Sequence, residues 1–316
     1  MKISAFFLIV LSAVADVASA FTQLSRAPVA VRPNTHHKKN AVNKISVTLA
    51  SPSSASSMSS MPSMSSTSLR AKNQIVDEES TGLFSDIQIN APYAVAYFGF
   101  LAIGYVMTTM EAPGASQAVL EKFLADPVNP GVNELFATIF NLLGLAALPF
   151  ACLTMPGAKG QKPPLVPFLL GGVFAGYGSV GIALSTRKEV TAVKEEDLGW
   201  VTKNVLENKI FNWAMVALAA SVFVSTGFLS GLAADAGGQI QGYSELFQST
   251  AIASVSSCDL AILTVAAASL IPEDLKRRGF DSSGNKASAI AASTVVLPIF
   301  GAILYCALRP KLVSSE

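Results

Sequence analysis

"FQSTAIASVSSCDLAILTVAAASLI", residues 247–271, runs for 25 residues with one ionisable side chain, Asp259. A helix needs roughly 17–25 residues to cross the hydrocarbon of a bilayer. A chain in hydrocarbon must satisfy its own backbone hydrogen bonds, which selects helix over an open strand. A soluble amphipathic helix of this length would carry a polar face, and this stretch is apolar all round. The stretch therefore predicts a membrane-spanning helix.

Working outward, five similar stretches appear: Pro92–Met110, Leu135–Met155, Leu165–Ser185, Ile210–Ala233 and Ala287–Leu308. With Phe247–Ile271 they are 19 to 25 residues long, and Asp259 is the only ionisable residue within them. The expectation is an all-α polytopic membrane protein with about six transmembrane helices over residues 92–308. A polar segment, 73–91, precedes them and a short polar tail, 309–316, follows. Gly172 and Gly176, and likewise Gly227 and Gly231, are small-xxx-small pairs, which let helix backbones approach closely where lipid supplies no drive between helices.

The first 72 residues read differently. Lys2, the apolar run Ala5–Val14 and the small residues Ala18-Ser19-Ala20 make a signal peptide over residues 1–20. No acidic residue occurs between Asp16 and Asp77, and Ser51–Ser68 is mostly Ser, Met and Pro. Residues 21–72 thus read as a basic, Ser-rich transit peptide without the apolar content to pack a core. A signal peptide joined to a transit peptide resembles the bipartite presequence of plastid proteins in diatoms and related heterokont algae. Ala18-Ser19-Ala20-Phe21 matches the A-S-A-F-x-P motif of that junction, with Pro28 later than usual. The resemblance implies a plastid membrane, the thylakoid ahead of the envelope.

Trimming residues 1–72 changes the electrostatic reading. It removes eight of 22 Lys/Arg and one of 21 Asp/Glu, leaving 14 basic and 20 acidic residues, a net of −6. Basicity then gives no argument for nucleic-acid binding. Both histidines, His36 and His37, lie in the trimmed part. His-based triads and His-ligated zinc, haem or chlorophyll are excluded from what remains, so no cofactor is assigned. No P-loop, dinucleotide fingerprint or H-E-x-x-H motif occurs.

The candidates for chemistry are few. An ionised carboxylate at mid-bilayer costs at least ~2.5 kcal/mol, so Asp259 needs a partner or a cavity. Its readings are a proton or cation relay, or a structural carboxyl bonded to Ser254, Ser256 or a hydroxyl on another helix. Asn141, in mid-stretch, reads first as an amide that hydrogen-bonds across helices. Cys152, Cys258 and Cys306 are widely separated, without a CxxC, and read as small apolar fillers. In "IPEDLKRRGF", residues 271–280, the basic residues Lys276, Arg277 and Arg278 read as a juxtamembrane stop or as a surface for anionic lipid or a partner. Six spans put loops 111–134, 186–209 and 272–286 on one side and both termini on the other. The positive-inside rule turns the loop side to the stroma.

The strings "DPVNPGVNELFATIFNLLGLAALPFACLTMPGAKGQKPPLVPFLLGGVFAGYG", residues 126–178, and "ELFQSTAIASVSSCDLAILTVAAASLIPEDLKRRG", residues 245–279, resemble an uncharacterised family of multi-pass membrane proteins in cyanobacteria and plastids. That resemblance implies a plastid membrane and no activity. The partners expected are the lipid bilayer and other plastid membrane proteins, with no nucleic acid. Three functional readings stay open: a non-enzymatic role in assembly or scaffolding of membrane complexes; a transporter or channel using Asp259; and an enzyme acting on a lipophilic pigment or lipid.

Overall fold

The computed structural model describes residues 88–127, 130–280 and 285–312. The expected signal peptide, transit peptide and most of the polar segment 73–91 lie outside the described residues. Within them all regular structure is helical. The α-helices are α1 Ala91–Met110, α2 Ala115–Ala125, α3 Glu134–Thr154, α4 Leu165–Ala175, α5 Tyr177–Thr186, α6 Lys209–Ser225, α7 Phe228–Ser249, α8 Ala251–Arg277, α9 Asn285–Val295 and α10 Phe300–Leu308.

Three helices are long and apolar enough to cross a membrane: α1, α3 with the turn that extends it to Gly157, and α8. The pair α6 and α7, bent by 45°, makes a fourth if it counts as one. The expected six continuous helices are thus corrected to three or four, and the physical reasons lie in particular residues.

The third stretch breaks at Gly176, whose backbone (φ 51°, ψ −130°) is a conformation L side chains avoid. Beyond the break α5 packs against α4. A Cβ at Gly172 would lie 2.5 Å from Val180 Cγ2, so that glycine serves the close approach expected of it. Gln161, before α4, donates through Nε2 to the Lys188 carbonyl at 2.9 Å, while its Oε1 accepts from Lys188 N at 2.8 Å. The stretch therefore ends where it began, as a hairpin.

The sixth stretch does the same. Pro298 cannot continue a helical ladder, Ile299 takes a positive φ of 57°, and Gly301 sits where a Cβ would be 2.1 Å from the Thr294 carbonyl. Asn285 opens α9 shortly after Phe280, and Arg309, closing α10, returns to Asp274 of α8 at 3.3 Å. The fourth stretch ends at Gly227 (φ 76°), where α7 departs along a new axis.

α8 is the centre of the bundle and packs against α1, α2, α3, α7 and α9. Its N-terminus is capped by other helices' ends: Ala251 N donates to Glu111 Oε2 at 2.7 Å and Ile252 N to Ser116 Oγ at 2.9 Å. Four helices run between two ends of the bundle. α1 starts beside Ser185, to whose carbonyl Asn90 N donates at 2.7 Å, and ends beside Ala251. α3 starts beside Gln239 and ends beside Arg277; α6 starts beside Arg309 and ends at Thr226, whose hydroxyl meets Thr138 at 2.7 Å.

Because two stretches return, sidedness differs from expectation. Loops 158–164 and 187–208, the end of α8 and the C-terminal tail share one end. Loop 111–133 lies at the other. Of the 14 Lys/Arg from residue 73 onward, all but Lys122 belong to the first end.

Candidate functional site

Asp259 is buried at 7% exposure, and the tip of the first hairpin closes on it. Its Oδ1 accepts from Tyr177 N, the first residue of α5, at 2.8 Å. A Cβ on Gly176 would lie 1.7 Å from Asp259 Oδ2. The carboxylate thus takes the place of an N-cap side chain, delivered from 82 residues away, and a negative group suits the positive end of the helix dipole. Neither Ser254 nor Ser256 bonds it; Ser254 Oγ donates to the Thr250 and Ala251 carbonyls of its own helix.

The other end of α5 is fixed by opposite charge. Arg187, next after α5, pairs with Glu273 of α8, and both are buried. Asp259, Glu273 and Arg277 are spaced by 14 and 4 residues, close to whole turns, so they share one face of α8. A ten-residue half-helix is therefore clamped between two carboxylates of the central helix. The Tyr177 hydroxyl donates to the Tyr93 carbonyl at 3.1 Å, and the Tyr93 hydroxyl pairs with Ser269 Oγ at 2.8 Å. These groups lay a polar seam beside α8 inside an apolar core. The second hairpin meets the same helix through Thr264, whose Oγ1 accepts from Ile299 N at 3.1 Å.

At the end shared by both hairpins lies a buried ionic network. Asp274 accepts from Arg278 Nε at 2.8 Å, from Arg309 Nη1 at 3.3 Å and from the Tyr305 hydroxyl at 2.8 Å. Glu207 accepts from Arg278 Nη2 at 2.9 Å and Arg309 Nη2 at 2.8 Å. Glu273 takes Arg187, Arg277 and Val190 N. Burial pushes the Arg309 guanidinium down, but the facing Asp274 and Glu207 carboxylates outweigh it and hold the group above its ordinary value.

The remaining sequence candidates fall as follows. Arg277 and Arg278 turn inward, each 3% exposed, and so offer no surface to lipid phosphates; Lys276 alone of the three faces outward, 3.3 Å from Glu189. Asn141 bonds its own helix at Ala137 O, 2.9 Å, and the loop carbonyl of Pro127, 3.3 Å, rather than another helix. Gly176 and Gly227 are breaks rather than packing positions, whereas Gly231 leaves room for the Gln239 amide and the Glu134 carboxylate, each within 3.0 Å of where its Cβ would be. Cys152 and Cys306, 154 positions apart, are hydrogen-bonded to each other. Among the described residues no three His, Cys, Asp or Glu gather as metal ligands, so Asp259 acts singly.

Sequence reasoning missed Arg187, Glu207, Arg309, Tyr177 and Thr264. The acid–base spacing in "EDLKRR", which puts Glu273 near Arg277 and Asp274 near Arg278 at i,i+4, was the one signal pointing to the network. Comparison of the chain with family models, with curated proteins and with solved structures finds no match in any of the three.

Proposed function

We propose that the chain is a polytopic plastid membrane protein, of the thylakoid ahead of the envelope, that passes a proton or small cation along the Asp259 face of α8. The observation that carries this reading is the break at Gly176, closed by a carboxylate in the middle of a helix bundle. Broken helix at membrane depth is tolerated where it is buried in protein or lines a pathway. Paired half-helices meeting an ionisable group are how membrane proteins build ion and solute sites. Assembly or scaffolding, the first of the readings from sequence, would be served by uninterrupted helices and leaves both hairpins unexplained.

Embedding in lipid is supported by the outer faces of the helices. Val95, Phe98 and Tyr105 of α1, Phe174 of α4, and Ile210 and Val224 of α6 are all more than two-thirds exposed. Apolar area on that scale would be an aggregation liability in water. In this reading four helices cross, and both hairpins dip in from the end that carries every described Lys/Arg but Lys122. The positive-inside rule turns that end to the stroma, with residue 90 and the C-terminal tail on the same side.

The test is flux in liposomes holding the purified full chain, read with an entrapped pH dye and with a cation dye under an imposed potential. Wild type is expected to conduct and Asp259→Asn to lose conduction, because Asn keeps the cap and removes the titratable charge. Silence from folded wild type with both dyes, together with altered membrane complexes in cells lacking the protein, would return the reading to scaffolding.

A further inference from the structure

The fold joins two thiols that the sequence keeps far apart. Cys152 closes α3, Cys306 lies in α10, and each is at most 3% exposed. They are hydrogen-bonded to each other, and Cys152 Sγ also lies 3.6 Å from Asn212 Oδ1. Cys306 lines a narrow cleft with Lys209, Arg278, Arg309 and Glu207, so cations outnumber acids around it. The cleft has room for a molecule about the size of water. A thiol in a cationic, reachable pocket is the setting in which cysteines react as thiolates.

We infer that Cys152 and Cys306 form a peroxide-oxidised intramolecular disulfide, a modification site that ties the second hairpin to α3. The Cys306 thiolate attacks one peroxide oxygen, the O–O bond breaks, and hydroxide leaves a sulfenic acid on Cys306. The Cys152 sulfur then attacks the Cys306 sulfur; the S–S bond forms, the S–O bond breaks and water departs. Two thiols and one peroxide give one disulfide and two waters. The sulfurs need only close from contact to about 2.05 Å. Cys258, elsewhere on α8, keeps its thiol. The inference rests on the thiol pair alone and holds whether or not Asp259 conducts.

The experiment uses the full chain in detergent or membranes, exposed to hydrogen peroxide, then denatured and labelled with a maleimide polymer that shifts its gel mobility once per free thiol. Labelled thiols are expected to fall from three to one and to return to three after dithiothreitol, with a cross-linked peptide joining Cys152 to Cys306. Cys258→Ser, which leaves the pair untouched, should fall from two to none. Three persistent labels in the wild type would overturn the inference. So would oxidation of Cys306 without the cross-linked peptide, or a bridge that includes Cys258.

Discussion

Replacing Gly176 by Ala asks the structure a question whose sign is the answer. If residues 165–185 formed one continuous helix, Gly→Ala in its interior would stabilise the protein by roughly 0.5–1 kcal/mol. In the fold described, Gly176 holds φ 51° and ψ −130°, and its Cβ would fall 1.7 Å from Asp259 Oδ2 and 2.6 Å from Cγ. A side chain forced into so sparsely populated a conformation costs about 1–3 kcal/mol. The carboxylate must also leave Tyr177 N, and losing a cap costs a further ~0.5–2 kcal/mol. The sum is a loss of about 2–5 kcal/mol, a large share of the ~5–15 kcal/mol that holds a protein folded. Unfolding of the purified full chain in detergent, wild type against Gly176→Ala, measures it. The double variant Gly176→Ala/Asp259→Ala should lose less than the two single losses added, because both remove the same cap. A Gly176→Ala protein as stable as wild type, or more so, would refute the break and with it the cap.

Other outcomes follow from the same contacts. Asp259→Ala should lower stability by about 0.5–2 kcal/mol whereas Asp259→Asn stays near wild type, since an amide oxygen caps Tyr177 N as well; both are read in the same unfolding assay. Arg278→Ala removes a guanidinium that serves Asp274 and Glu207, and stranding buried carboxylates should cost about 3–5 kcal/mol. Lys276→Ala, next to it but exposed beside Glu189, should change stability by about 1 kcal/mol or less. The Glu111 carboxyl lies below its ordinary value of 4.5, first because the Ser116 hydroxyl donates to it and then because Ala251 N does. With the folded value depressed, its contribution is fully present above 4.5 and disappears as pH falls through the lower folded value. Glu111→Gln should therefore flatten the acid limb of the stability profile and leave its slope at neutral pH unchanged.

The helical class and the membrane length of α1, α3 and α8 are legible from sequence because apolar content over 20 or more residues decides both. Asp259 stands out for the same reason, as the costly exception in such a run. The reversal at Gly176 is not legible that way. Hydropathy is unchanged when a chain turns back, and the glycine that permits the turn looks like any packing glycine. Pro298 and Gly301 leave a stronger trace, but a proline within an apolar stretch reads equally as a kink. The ionic network escapes a linear reading because Arg187, Glu207 and Arg309 come from three separate segments, each at the edge of an apolar stretch where charge ordinarily means solvent. The returning hairpins bring those edges together, so missing the hairpins also misplaces the C-terminal tail and inverts the expected sidedness. Cys152 and Cys306 meet for the same reason.

Every functional statement depends on the helices lying in lipid, and alkaline carbonate extraction of membranes from cells producing the full chain tests that most directly. The account predicts that the chain stays in the pellet and is released only by detergent. Recovery from the aqueous fraction as a compact monomer would contradict it.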